Sequence, residues 1–130
     1  MTLEKGIKKS SECVVTKELT AKIMGSGELD VYATPAMIAL MEQTAYQSVS
    51  GALEEGAGTV GTLMNVKHVA ASPIGMKITC QTELVEVDGR KLTFHVEAYD
   101  EKGLIGEGTH ERFIIMNEKF QQKADSKLEK

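Results

Sequence analysis

Two hydrophobic periods divide this chain. From Thr34 to about Leu53, in TPAMIALMEQTAYQSVSGAL, apolar residues recur every three or four positions, the spacing of a helix with a covered face. Thr34-Pro35 is a start signal, since a threonine side chain caps free amides and proline suits the first helical position. Glu54-Glu55-Gly56-Ala57-Gly58 marks the end. The first three turns are apolar nearly all round, as suits a helix wrapped by a sheet.

Beyond that break the period falls to two. Val60, Thr62, Met64, Val66, His68 and Ala70 alternate with Gly61, Leu63, Asn65, Lys67 and Val69, which predicts a long strand. A second strand runs from Met76 through Leu84 to a turn at Asp88-Gly89, a third from Lys91 to Tyr99, and a fourth from Leu104 to Met116. Ahead of the helix, SECVVTKEL suits a first strand and the Gly25-Ser26-Gly27 break a connection. Residues 1–11 and 117–130 are polar and are expected to be partly mobile ends, the latter a solvated tail or frayed helix. There is no internal repeat. The reading is one α+β domain over 1–130: a sheet curled around one long central helix, antiparallel apart from the pairing made by the first strand. Its outer face is left to solvent or to a second copy.

Composition narrows the class. At 130 residues one core is the expectation. A net charge of -4 with both signs interspersed excludes a nucleic-acid surface, which needs clustered Lys and Arg. Cys13 and Cys80 are too few for a disulfide framework or a zinc site and read as reduced, structural thiols. The chain opens on no signal-peptide pattern and has no apolar run long enough to span a bilayer, so a cytoplasmic location without membrane contact is expected.

The candidate chemistry begins with Glu42. Its neighbours at three and four positions are Ile38, Ala39, Ala45 and Tyr46, an apolar setting in which a lone carboxylate is costly unless it is paired or catalytic. The alternative is a wet edge shared with Gln43. His68 has the parity of Val66 and Met64, so it points toward the helix and needs a partner there; a structural histidine bonded to a backbone carbonyl is the competing reading. Thr34 stands two turns before Glu42. Hydroxyl, carboxylate and imidazole together supply what thioester hydrolysis needs: a nucleophile or activated water, a proton donor for the thiolate, and donors to the oxyanion. His95 alternates outward with Glu97, and His110 in GEGTHERFII has a structural role as its default. Arg112 suits either a ligand phosphate or an edge pair with Glu107 or Glu111. No metal-ligand spacing, phosphate loop or dinucleotide fingerprint is present.

Several ordered blocks, VYATPAMIALME, GTVGTLMNVKHVAASPIGMKITCQTEL, DGRKL and IGEGTHERFII, resemble the fluoroacetyl-CoA thioesterase type of hot-dog-fold protein over about Val31 to Ile115. The resemblance implies a hot-dog fold, one long helix gripped by an antiparallel sheet. It also implies a homodimer with acyl-CoA at the subunit interface and no cofactor beyond the coenzyme A of the substrate. It places the catalytic trio on Thr34, Glu42 and His68, and substrate contacts on Gly61 and Arg112. Gly25-Ser26-Gly27-Glu28 lacks the aromatic character of a lid over a fluorinated acyl group, so the expected activity is hydrolysis of a short- or medium-chain acyl-CoA. The rivals are a non-hydrolytic acyl-CoA binding or sensing module and a hot-dog dehydratase acting on a hydroxyacyl thioester.

Overall fold

The computed structural model describes residues 1–129. Strand β1 (Lys8–Val14) leads through a 3-10 turn (Lys17–Leu19) and the short helix α1 (Ala21–Met24) to the long helix α2 (Thr34–Ser50). Four strands follow, β2 (Ala57–His68), β3 (Lys77–Asp88), β4 (Lys91–Asp100) and β5 (Gly103–Met116), and then an exposed helix α3 (Asn117–Asp125). They form one sheet in the order β1-β3-β4-β5-β2.

Every pairing is antiparallel, including that of β1 with β3, which corrects the expected exception at the first strand. The crossover through α2 does make β1 and β2 run in the same direction, as a helical connection requires. They lie at opposite edges with three strands between them, so that parallel relation never becomes a hydrogen-bonded ladder. The first strand also begins at Lys8, inside the stretch 1–11 expected to be a partly mobile end. Lys8 to Ser11 already pair with Glu83 to Cys80, and Leu3 and Ile7 pack against the core.

Helix α2 lies across one face of the sheet. Met37, Met41, Ala45 and Val49 recur at four-residue spacing and are fully buried against Ile78, Cys80 and Leu84 of β3 and Leu92, Phe94 and Val96 of β4. Each large side chain removed from water there contributes on the order of 1.5–3 kcal/mol. Met37 and Met41 are thus core residues, and Met64 packs half-buried against the same cluster. Cys80 is buried and Cys13 half-buried, both as free thiols. Burial pushes the Cys80 thiol up to about 11.

Two local devices shape the sheet beside the helix. The register of β2 against β5 slips between Gly61 and Leu63, a bulge that adds one residue and reverses the alternation. Thr59 and Gly61 therefore face α2 before the bulge, and Met64, Val66 and His68 face it afterwards. On β5, a Cβ at Gly108 would overlap the backbone carbonyl of Asn65 and stand 2.6 Å from Val66 Cα. Backbone cannot yield there as a side-chain tip would. Gly108→Ala is accordingly expected to lower the unfolding free energy by about 1–3 kcal/mol in urea denaturation; an unchanged midpoint would show that the β2–β5 approach is looser than this.

Candidate functional site

Helix α2 carries one chemical group at its start and another two turns on. The chain entering it is tied down on both sides, since Tyr32 N–H donates to Ser72 O at 2.8 Å and Ala33 N–H to Leu19 O at 2.9 Å. The N-cap is Ala33, whose side chain cannot cap, and Thr34 and Pro35 occupy the first helical turn. Thr34 is thus not the capping residue that the sequence suggests. Its hydroxyl is free for another partner, and Thr34 Oγ1 lies 2.8 Å from His68 Nδ1 at the end of β2.

His68 sits in a shallow cleft of about 280 Å³ lined by Tyr32, Thr34, Val69 and Ala71 among others. The Tyr32 ring meets its imidazole edge-on, with 6.4 Å between centroids. Burial holds the His68 pKa below the ordinary histidine value, and the nearby Ala70 backbone acts in the opposite direction. The other ring nitrogen, Nε2, is buried and has no hydrogen-bond partner among the described residues. Such an orphan atom is costly in a purely structural histidine.

Glu42 belongs to a second cluster. Its side chain is 43% exposed in the single chain, beside an exposed Gln43, so the helix does present the wet edge considered above. It is not a free carboxylate, however. Arg112 Nη1 donates to Glu42 Oε2 at 3.2 Å, across 70 residues of sequence. Arg112 is 6% exposed, and burial lowers its pKa while Glu42 works in the opposite direction. Neither Glu107 nor Glu111 is its partner. Nε donates to Thr59 Oγ1 at 2.8 Å, Nη2 to Thr59 O at 3.0 Å, and Nη1 lies 3.1 Å from His110 Nε2. The Tyr46 ring covers the guanidinium, with 5.8 Å from Cζ to its centroid.

Gly61 closes this arrangement. A Cβ there would overlap Glu42 Oε2 and stand 3.3 Å from both Arg112 Nη1 and His110 Cε1. Only glycine leaves that space to the carboxylate. Strict alternation put Gly61 on the opposite side of the strand from His68; the bulge brings both to the helix side.

Within one chain the expected trio is therefore divided. Thr34 and His68 are in contact, while Glu42 is held by Arg112 in a separate cleft with Gly61, Leu63, Met64 and His110. Eight helical residues separate Thr34 from Glu42 by about 12 Å along the axis. On the outer face of the sheet, His95, Glu97 and Glu107 are the described residues grouped closely enough to share a metal ion. His95 is exposed and pairs with Glu97 at 3.6 Å, the surface role expected of it.

Comparison with known proteins bears on this geometry. Residues 15–118 match the family model described as fluoroacetyl-CoA-specific thioesterase. The chain is 43% identical over 98 residues to the fluoroacetyl-CoA thioesterase of Streptantibioticus cattleyicolor, an alignment covering 75% of this chain and 70% of that one. A solved structure of the fluoroacetyl-CoA thioesterase FlK superposes with a TM-score of 0.92 at 36% identity, over 98% of each chain. A thioesterase superfamily member from Thermus thermophilus gives 0.86 at 31% identity, over 94% of this chain and 90% of that one. A hot-dog-like protein from Thermanaerovibrio acidaminovorans, at 20% identity and a TM-score of 0.89 over 98% and 95%, shares the fold alone. The fold is the hot-dog fold that the motifs implied.

The two inward histidines make stability depend on pH. Burial lowers the pKa of both His68 and His110 from 6.5 in the folded chain. The unfolded chain takes up these protons first, so their stabilising effect is complete above that value and declines as pH falls from it toward the depressed folded pKa values. Urea midpoints are expected to fall between a pH of about 7 and about 5.5, and less so in His110→Gln. A flat profile in that window would contradict the burial of both rings.

Proposed function

This chain belongs to the fluoroacetyl-CoA-specific thioesterase family, and we propose that it hydrolyses a short- or medium-chain acyl-CoA to the free acid and coenzyme A. The observation that carries this reading is the pair of poised groups on α2: a carboxylate held by a buried guanidinium, and a hydroxyl bonded to an imidazole whose second nitrogen is unpartnered. Water adds its oxygen to the thioester carbonyl, the carbon–sulfur bond breaks, and the departing thiolate takes up a proton. Glu42 either attacks the carbonyl or removes a proton from the attacking water. Thr34 and a free amide at the helix start supply hydrogen bonds to the oxyanion in this reading. His68 Nε2 assists proton transfer to the thiolate. These groups need no resident cofactor.

An apolar groove of about 470 Å³ runs along α2 between Leu19, Met24, Tyr32, Ala36, Leu40 and Tyr46, and shares Tyr32 with the cleft of His68. Its size suits a short or medium acyl chain. No aromatic residue stands in the exposed Gly25-Ser26-Gly27-Glu28 segment beside α1, which supports a general acyl-CoA substrate over a fluorinated one. Gly61 and Arg112 serve this substrate through Glu42, by leaving it space and by holding it. We assign the reaction to the cytoplasm, where the free thiols of Cys13 and Cys80 stay reduced. No helix among the described residues is long and apolar enough to cross a membrane.

The active form is a homodimer in this proposal. Strand β2 is an unpaired edge of 12 residues, with Leu63 exposed on it and Tyr46 exposed on the neighbouring face of α2. A long open edge of this kind invites pairing with another strand. Antiparallel pairing of β2 with its own copy, on a two-fold axis near Met64 and Asn65, brings Gly61 and Glu42 of one protomer toward the partner subunit's His68. The two half-sites of the single chain then meet.

Release of free thiol from a panel of acyl-CoAs is the primary test. Hydrolysis liberates thiol, whereas a dehydratase or a binding module liberates none. Glu42→Gln keeps the shape and is expected to lower turnover by roughly two to four orders of magnitude; near-normal turnover would exclude both roles for this carboxylate. Mixing inactive Glu42→Gln and His68→Ala homodimers under subunit exchange should restore about a quarter of the wild-type activity, because half the dimers then hold one intact site. A mixture that stays inactive while heterodimers form would place the whole site within one protomer.

A further inference from the structure

We propose that His110 is a positioning residue for hydrolysis: it fixes the orientation of Arg112, and through it the Glu42 carboxylate, without touching the thioester. The inference rests on the role given to Glu42 above. His110 is 1% exposed, and its ring stacks on Phe94 at 6.1 Å between centroids and 29° between planes. Its Nδ1 lies 2.8 Å from Leu63 O, the residue directly after the bulge. A carbonyl only accepts, so Nδ1 carries the proton. In the neutral ring Nε2 is then a bare acceptor, and Arg112 Nη1 donates to it at 3.1 Å. The tautomer is set on one side by β2 and read on the other by the guanidinium.

Arg112 shows why this contact matters. Its Nε and Nη2 edge is pinned by both oxygens of Thr59, while Nη1 divides its two protons between Glu42 Oε2 and His110 Nε2. Without His110, Nη1 keeps only the half-exposed carboxylate, its second proton has no acceptor, and the Nη1 end of the fork is held less firmly than the edge on Thr59. The charged and titratable groups facing His110 from the elements around it are Arg112 on its own strand and Glu42 on α2; Tyr46 of α2 covers the guanidinium, and β2 and β4 contribute the Leu63 carbonyl and the Phe94 ring. Protonation of Nε2 removes the acceptor and sets a second cation against Arg112. Burial and Arg112 both oppose that protonation, so the neutral form persists below the ordinary histidine range.

The test compares wild type, His110→Gln, His110→Phe and Glu42→Gln by thiol release, with kcat and KM measured against pH. Gln retains an acceptor for Arg112 and does not titrate; Phe keeps the stacking on Phe94 and offers no acceptor. Expected are a fall in kcat of about tenfold or more for His110→Phe with KM changed by less than about threefold, as a misplaced catalytic group costs rate more than binding. His110→Gln should keep a kcat near wild type and lose the acidic limb that His110 imposes. A wild-type kcat for folded His110→Phe, or an acidic limb unchanged in His110→Gln, overturns the proposal. If Glu42→Gln is inactive while His110→Phe is normal, only the positioning role falls; if Glu42→Gln is active, the proposed mechanism itself falls. Nitrogen-15 NMR of the wild-type ring decides independently of activity or of the folding of either variant. An unprotonated Nε2 supports the assignment, and an Nε2–H tautomer refutes it.

Discussion

The ion pair between Arg112 and Glu42 is the constraint to which the rest of the site conforms. A guanidinium removed from water costs several kcal/mol unless its charge and its N–H groups are met. Here Thr59 accepts twice, His110 once, and Glu42 supplies the opposite charge. Satisfying the cation obliges Gly61 to have no side chain. It also draws Thr59 to the helix side of β2, which the bulge after Gly61 makes compatible with an inward His68. The carboxylate gains a fixed direction while its other side remains open to water.

Helix α2 converts that local constraint into a separation between functional groups. Its inner face is committed to the core through Met37, Met41, Ala45 and Val49, so its rotation against the sheet is fixed by packing. With rotation fixed, Thr34 must meet the end of β2 and Glu42 must meet the bulge. Neither can slide toward the other without exposing methionines that contribute kcal/mol each to stability. In the proposed site these three groups would meet through a second copy of the chain, with the β2 edge as the proposed surface on which a two-fold axis joins the halves.

Much of this was legible in the residues. The helix and four strands declare themselves through period, because a sheet covered on one face and a helix lying on it impose alternation and i,i+4 spacing directly. The sequence blocks around Thr34, Glu42, His68 and Arg112 were enough to identify the family. What alternation missed was the bulge: one added residue near Thr62 reverses parity, and nothing in GTVGTLMN marks it except the glycine itself. Capping chemistry assigned Thr34 to its own helix, whereas the chain start is held by backbone bonds to Leu19 and Ser72, which free the hydroxyl for His68. For Arg112 the sequence offers either a ligand phosphate or the nearby Glu107 and Glu111, whereas its carboxylate partner in the fold lies 70 residues away. His110 looked ordinary because its significance depends on Leu63 and Arg112 flanking one ring, a tertiary fact with no local pattern. The signal that was available is its i,i+2 placement with Arg112 on a strand facing the helix.

The most direct measurement is a crystal structure with an acyl-CoA analogue in which a methylene replaces the thioester sulfur, leaving the carbonyl intact but uncleavable. The carbonyl carbon should lie within reach of Glu42 of one protomer, with its oxygen or the methylene facing the partner subunit's Thr34 and the partner subunit's His68, and Arg112 still paired with Glu42. A carbonyl bound away from Glu42, with that carboxylate facing bulk solvent in every protomer, would contradict the account.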